Sequence, residues 1–113
     1  MHDLEKRMIE YGAIDTTIES IRIDDWFKNM TISYLGNEQA GNVVCNFENC
    51  FEISLNHDKT YSKEQKSDGT LDYKYFIQDV EIIEEDGFFV FKISAWPLDG
   101  KIVCRDISIS TNK

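Results

Sequence analysis

Three cysteines, Cys45, Cys50 and Cys104, and two histidines, His2 and His57, are the residues of this 113-residue chain best suited to nucleophilic or metal chemistry. A cysteine nucleophile needs a base near the thiol, a third group to orient that base, and an electropositive setting that holds the thiolate. His57 is the one histidine away from the amino terminus, and the chain as a whole is acidic. Cys45 and Cys50 lie in one strand-like stretch at an odd spacing, which points their side chains to opposite faces. With three cysteines not all can pair, and all are read as thiols, Cys45 as a small core residue. The paired C-x-x-C elements of a zinc site are missing, and the histidines are far from the cysteines in sequence.

The carboxylates offer further chemistry. Asp24-Asp25 and Asp99 fall in loops, as calcium ligands do, but without a spaced D-x-D pattern they read as solvated turn residues. Paired acids for glycoside hydrolysis lack a sugar-stacking aromatic platform, and the chain has neither a G-x-G-x-x-G nor a Walker loop. The expectation is a protein that is not an enzyme and carries no cofactor or metal. Two surface features suit a protein partner instead. Asp79, Glu81, Glu84, Glu85 and Asp86 place five acids in eight residues without a base, as a solvated hairpin tip or a charged contact. Trp26-Phe27 follows Asp24-Asp25. Adjacent aromatics in a hairpin point apart, so one is expected outside, where Trp is a typical interface anchor, and the other can plug the end of the fold.

Charge narrows the partner. Twenty-one acids against 12 bases give a net charge of -9, which opposes nucleic acid phosphates and anionic lipid surfaces. Asp58, Glu64 and Asp68 balance Lys59, Lys63 and Lys66 between residues 56 and 70, so the acidic excess lies elsewhere. The expected partner is a protein, with no nucleic acid and no membrane. Hydrophobic residues make up 42%, with seven Phe, five Tyr and two Trp, enough for the one core of a single domain. No apolar run reaches bilayer length, and the charged opening MHDLEKRMIE lacks the apolar core of a secretion signal, so a cytoplasmic protein is expected.

The elements that position these residues are mostly strands. Val43 to Leu55 alternates Val43, Cys45, Phe47, Phe51, Ile53 and Leu55 on one side, interrupted by Asn49, against Asn46, Glu48, Glu52 and Ser54 on the other. This makes Cys50 face away from the core and makes Asn49 the place for a bend. Before it, Asp3 can cap a short helix with Leu4, Met8 and Tyr11 on one stripe and Gly12 at its end, lying on the sheet or over an open edge. Strands follow at Thr17 to Ile23 and Met30 to Leu35, with Trp26 to Asn29 as the hairpin loop between them.

Asn56 to Thr70 is a long polar segment expected to be disordered, and a strand resumes at Leu71. The phase slips at Gln78-Asp79, as at a bulge, so that Val80 and Ile82 carry the apolar side. Glu84 to Gly87 is a turn. Phe88 to Trp96 is a strand apolar on both sides, Pro97 to Gly100 a hairpin turn, and Lys101 to Ser110 the last strand. The pattern predicts an all-β fold with one short N-terminal helix, an antiparallel two-sheet sandwich, with a strongly curved single sheet or partly open barrel as the alternative.

Two segments add a resemblance. Asp15-Thr16-Thr17-Ile18-Glu19-Ser20-Ile21-Arg22-Ile23 resembles the D-[ST]-x-I-x-x-I-x-I opening strand of small bacterial immunity proteins of polymorphic-toxin systems. Val43-x-Cys45-x-Phe47-Glu48-Asn49-Cys50-x-x-Ile53-x-Leu55 resembles their central V-x-L-x-F-x-N-V-x-x-L-x-L strand. The resemblance implies a non-enzymatic protein that binds and neutralises a toxin domain, and an acidic chain suits a basic nuclease target. The competing class is a small β-domain that binds a small ligand or serves as a subunit of a larger assembly, for which an apolar pocket or a wide hydrophobic patch is expected.

Overall fold

The computed structural model describes residues 2–24, 26–38, 40–58 and 75–111. They form helix α1 (Asp3–Glu10) and strands β1 (Ile18–Ile23), β2 (Met30–Leu35), β3 (Asn42–His57), β4 (Asp79–Glu85), β5 (Phe88–Ala95) and β6 (Leu98–Thr111). All six strands belong to one antiparallel sheet in the order β1-β2-β3-β6-β5-β4. The expected sandwich of two sheets is therefore replaced by a single sheet, as in the alternative expectation. The reason lies in β3 and β6, which pair from Val43↔Thr111 to His57↔Leu98 and so belong to both halves of the sheet. β1 and β2 flank one end of this ribbon, β5 and β4 the other.

The ribbon bends where Asn49 takes a left-handed φ of 56° and the register shifts between Cys50 and Glu52. Before the bend Val43, Cys45 and Phe47 are buried; beyond it Cys50, Ile53 and Leu55 pack against the same core. Cys50 therefore does not face away, because the buried side changes phase at Asn49. β6 changes phase at the same place, with Ile102 and Cys104 buried, Arg105 and Asp106 exposed, and Ile107 and Ile109 packed inward again. Both halves consequently face one core, and the Phe47 and Phe91 rings meet across it at 4.7 Å between centroids.

The sheet edges meet without closing into a barrel. Ile77 donates to the Thr16 carbonyl at 2.7 Å and Ile18 to the Tyr75 carbonyl at 3.0 Å, with one bridge between Thr17 and Phe76. The phase slip expected at Gln78-Asp79 is a break before β4 and not a bulge inside one strand: Ile77 is buried, Gln78 and Asp79 are exposed, and Val80 is buried again. Most of the expected strand from Leu71 and of the loop 56 to 70 lies outside the described residues, although β3 itself runs on to His57.

Helix α1 lies along the β4 edge, and the Glu5 carboxylate accepts a hydrogen bond from the Ile82 amide at 2.8 Å, which satisfies an edge donor that would otherwise invite another strand. Its stripe is as expected, with Met8 fully buried and Leu4 and Tyr11 packed beside it. Its cap is His2 and not Asp3. The Nδ1 of His2 accepts from the Leu4 amide at 3.0 Å, and its Nε2 faces the Glu84 carboxylate, which fixes the proton on Nε2.

Two turns differ from expectation. β4 continues through Glu85, so only Asp86 and Gly87, both at positive φ, make the β4–β5 turn. The β5–β6 turn is Trp96-Pro97, joined by a cis peptide bond, with Asp99 and Gly100 already paired inside β6. Gly100 serves packing there: a Cβ would lie 2.9 Å from Leu55 Cδ2 and 3.1 Å from Ile93 Cγ2.

Candidate partner-binding surface

The β1–β2 hairpin is held by its own polar groups. The Asp24 amide donates to the Asn29 carbonyl and the Phe27 amide to the Asp24 carbonyl, both at 3.1 Å. The Asp24 carboxylate accepts from the Lys28 amide at 2.8 Å and from the Asn29 side chain at 3.2 Å. Desolvation of this carboxyl acts to raise its pKa, but hydrogen bonds from the Lys28, Asn29 and Trp26 backbone and from the Asn29 side chain together outweigh it and bring it below the ordinary value. Phe27 is held at a φ of 56°.

The tip is braced against the bend as well. Cys50 donates its amide to the Lys28 carbonyl at 2.6 Å, and Asn49 donates its amide to the Asn29 side-chain oxygen at 3.2 Å. On this support Trp26 is 87% exposed and Phe27 66% exposed. Neither ring plugs the end of the fold; beside the hairpin the buried side chains are Met30 and its cross-strand partner Phe47. Asp25 lies outside the described residues.

The acids of the second hairpin do not form one patch. Strand alternation sends Asp79, Glu81 and Glu85 to the outer side, while Glu84 turns toward the helix and engages His2. Glu81 is opposite Lys92, which is opposite Lys101, and Lys101 reaches Glu52 at 3.6 Å. Asp79 and Glu81 thus line an open groove of about 320 Å³ with Lys92, Lys101, Ser94 and Asp99, of mixed charge. Glu85 and Asp86 remain exposed at the hairpin end. The register carries both hairpin ends to the bend from opposite sides: Met30 pairs with Phe47 beside one, and Phe89 with Cys104 beside the other.

Between them lies a cluster that the alternation of Val43 to Leu55 conceals. Phe51, on the apolar side of that alternation, is turned outward by the bend and bulge and is 65% exposed. Its ring meets Phe88 edge-on at 5.2 Å, and the Arg105 guanidinium sits 5.8 Å from the Phe51 centroid and 5.1 Å from that of Phe88. The sequence signal was the double-sided apolarity of β5, whose outer side, Phe88 and Val90, is only half-buried.

Among the described residues no base stands beside a cysteine thiol. Burial pushes the Cys45 and Cys104 thiols up to about 12, and Cys50 rises as well, again through desolvation first. His57 bonds the Tyr75 hydroxyl at 2.8 Å and the Asp58 carbonyl at 2.9 Å rather than a thiol. Among the described residues no three His, Cys, Asp or Glu side chains gather as a metal site.

Comparison with known proteins gives a fold and a family. No curated protein matches the chain. The crystal structure of an uncharacterized protein from Neisseria gonorrhoeae is similar at a TM-score of 0.63 and 13% identity, over 88% of this chain and 93% of that one, a likeness of fold alone. In sequence, residues 1–111 match the family described as immunity protein PIM7, and the chain belongs to that family.

Proposed function

We propose that this chain is a non-enzymatic, cytoplasmic immunity protein that binds a cognate toxin domain and neutralises it by covering a surface the toxin needs. Membership of the immunity family supports the role. The observation that carries the binding mode is Trp26, 87% exposed on a hairpin that six hydrogen bonds to Asp24, Lys28 and Asn29 hold in one conformation. A large aromatic side chain left in water on a rigid support loses little entropy on docking and offers its whole area to a partner.

Asp24 beside it, and Glu85 and Asp86 across the bend, give this region a negative field that suits a basic toxin. A net charge of -9 would speed the encounter and exclude other acidic proteins. The test is to co-express the chain with the toxin domain encoded by the neighbouring gene and to mix the purified pair. Survival of the cells and a stable one-to-one complex are expected; toxicity undiminished and no complex at micromolar concentration would refute the assignment.

A further inference from the structure

The geometry points to a second docking point on the outer face of the sheet beyond the bend, centred on Phe51, Phe88 and Arg105, which takes a toxin surface with an apolar centre framed by lysine or arginine. This deepens the immunity reading and rests on it. The face is apolar where solvent is expected: the rung Ile83, Val90, Val103 adjoins the edge-on rings, and Ile83 is 43% exposed. The Arg105 guanidinium lies against the two rings and makes no hydrogen bond or ion pair among the described residues, so its donors are free for a partner carbonyl.

Charge selects the occupant. At the bend next to these rings, Glu48 stands directly opposite Asp106, and like charges facing each other across an antiparallel ladder repel. Neither carboxylate has an ion pair among the described residues. A basic surface laid on the face relieves that repulsion, whereas a second copy of this chain, with its charge of -9, would add the same acids to it.

The toxin domain encoded by the neighbouring gene serves as the probe, titrated calorimetrically against the wild type, Phe51→Ala, Arg105→Ala and Leu35→Ala, the last an exposed residue at the far end of β2. Phe51→Ala and Arg105→Ala are each expected to weaken binding at least ~30-fold, and Leu35→Ala less than ~3-fold. Radical footprinting of the wild-type complex, which needs no variant to fold, is expected to protect Phe51. Wild-type affinity in both variants, or an unprotected Phe51, overturns the second docking point and leaves the immunity reading standing. No complex with the wild type overturns both, and a wild-type dimer that Phe51→Ala dissociates makes the face a self-interface and overturns the proposal alone.

Discussion

Trp26→Ala separates binding from folding. The side chain is 87% exposed, so the fold has little to lose: the unfolding free energy is expected to move by less than ~0.5 kcal/mol, as for an ordinary surface substitution. Binding has much to lose. A Trp side chain offers about 200 Å² to a partner, and at ~25 cal/mol per Å² its complete burial is worth up to about 5 kcal/mol. Incomplete burial lowers that ceiling, and an aromatic anchor of this kind typically costs ~2–4 kcal/mol when truncated, or about 30- to 1000-fold in Kd. Calorimetry with the toxin domain gives the second number and urea unfolding the first. A variant that unfolds early would show that the ring packs in the fold after all. One that stays folded and binds the toxin as tightly as the wild type would remove Trp26 as the anchor and leave the braced hairpin without a purpose.

Two further expectations concern the fold. Folded Cys45 and Cys104 hold their protons up to about 12, against an ordinary thiol value of 9.0, so the native state binds more protons than the unfolded chain between these limits. The stability they contribute is complete below pH 9 and is lost as pH rises toward 12; burial raises the Tyr34 hydroxyl in the same direction. Urea midpoints should therefore fall steadily from pH 9 to 11, and a flat profile would contradict the dry setting of these groups. Glu5→Ala removes the acceptor of the Ile82 amide and should cost ~1 kcal/mol, a partly solvated charge-assisted bond, while hydrogen exchange at Ile82 accelerates; unchanged exchange there would mean the helix does not guard the β4 edge.

Local pattern was readable and long-range pairing was not. The alternation in β2 and the single stripe of α1 each name a buried side, and those sides meet in the core, whereas β5 is apolar on both sides and the buried side of β6 changes phase at the bend, where Ile102 and Cys104 rather than Val103 point inward. A period of two says nothing about whether strands share one sheet, and that depended on β3 and β6 pairing over their full length. The helix cap was misread for a similar reason. Asp3 is the better capping type by composition, but His2 is locked in the accepting tautomer by Glu84, a residue eighty-two positions away. Pro97 marked a turn correctly, while Gly100 looked like part of it and is small because Leu55 and Ile93 crowd it.

The same limit divides the surface. Trp26 could be found because it follows a polar break and precedes a strand, whereas Phe51 could not, since its outward direction depends on one backbone angle at Asn49. That angle and the positive φ of Phe27 are linked, because the Asn49 amide bonds the Asn29 side chain within the hairpin that carries Phe27. Left-handed backbone at two non-glycine residues persists only where the surroundings fix it, and here the surroundings are each other. The bend that turns Phe51 outward is therefore also the support that holds Trp26 out. An immunity protein gains from this coupling: two aromatic contacts set in advance at one bend cost a partner less ordering than two placed on independent loops.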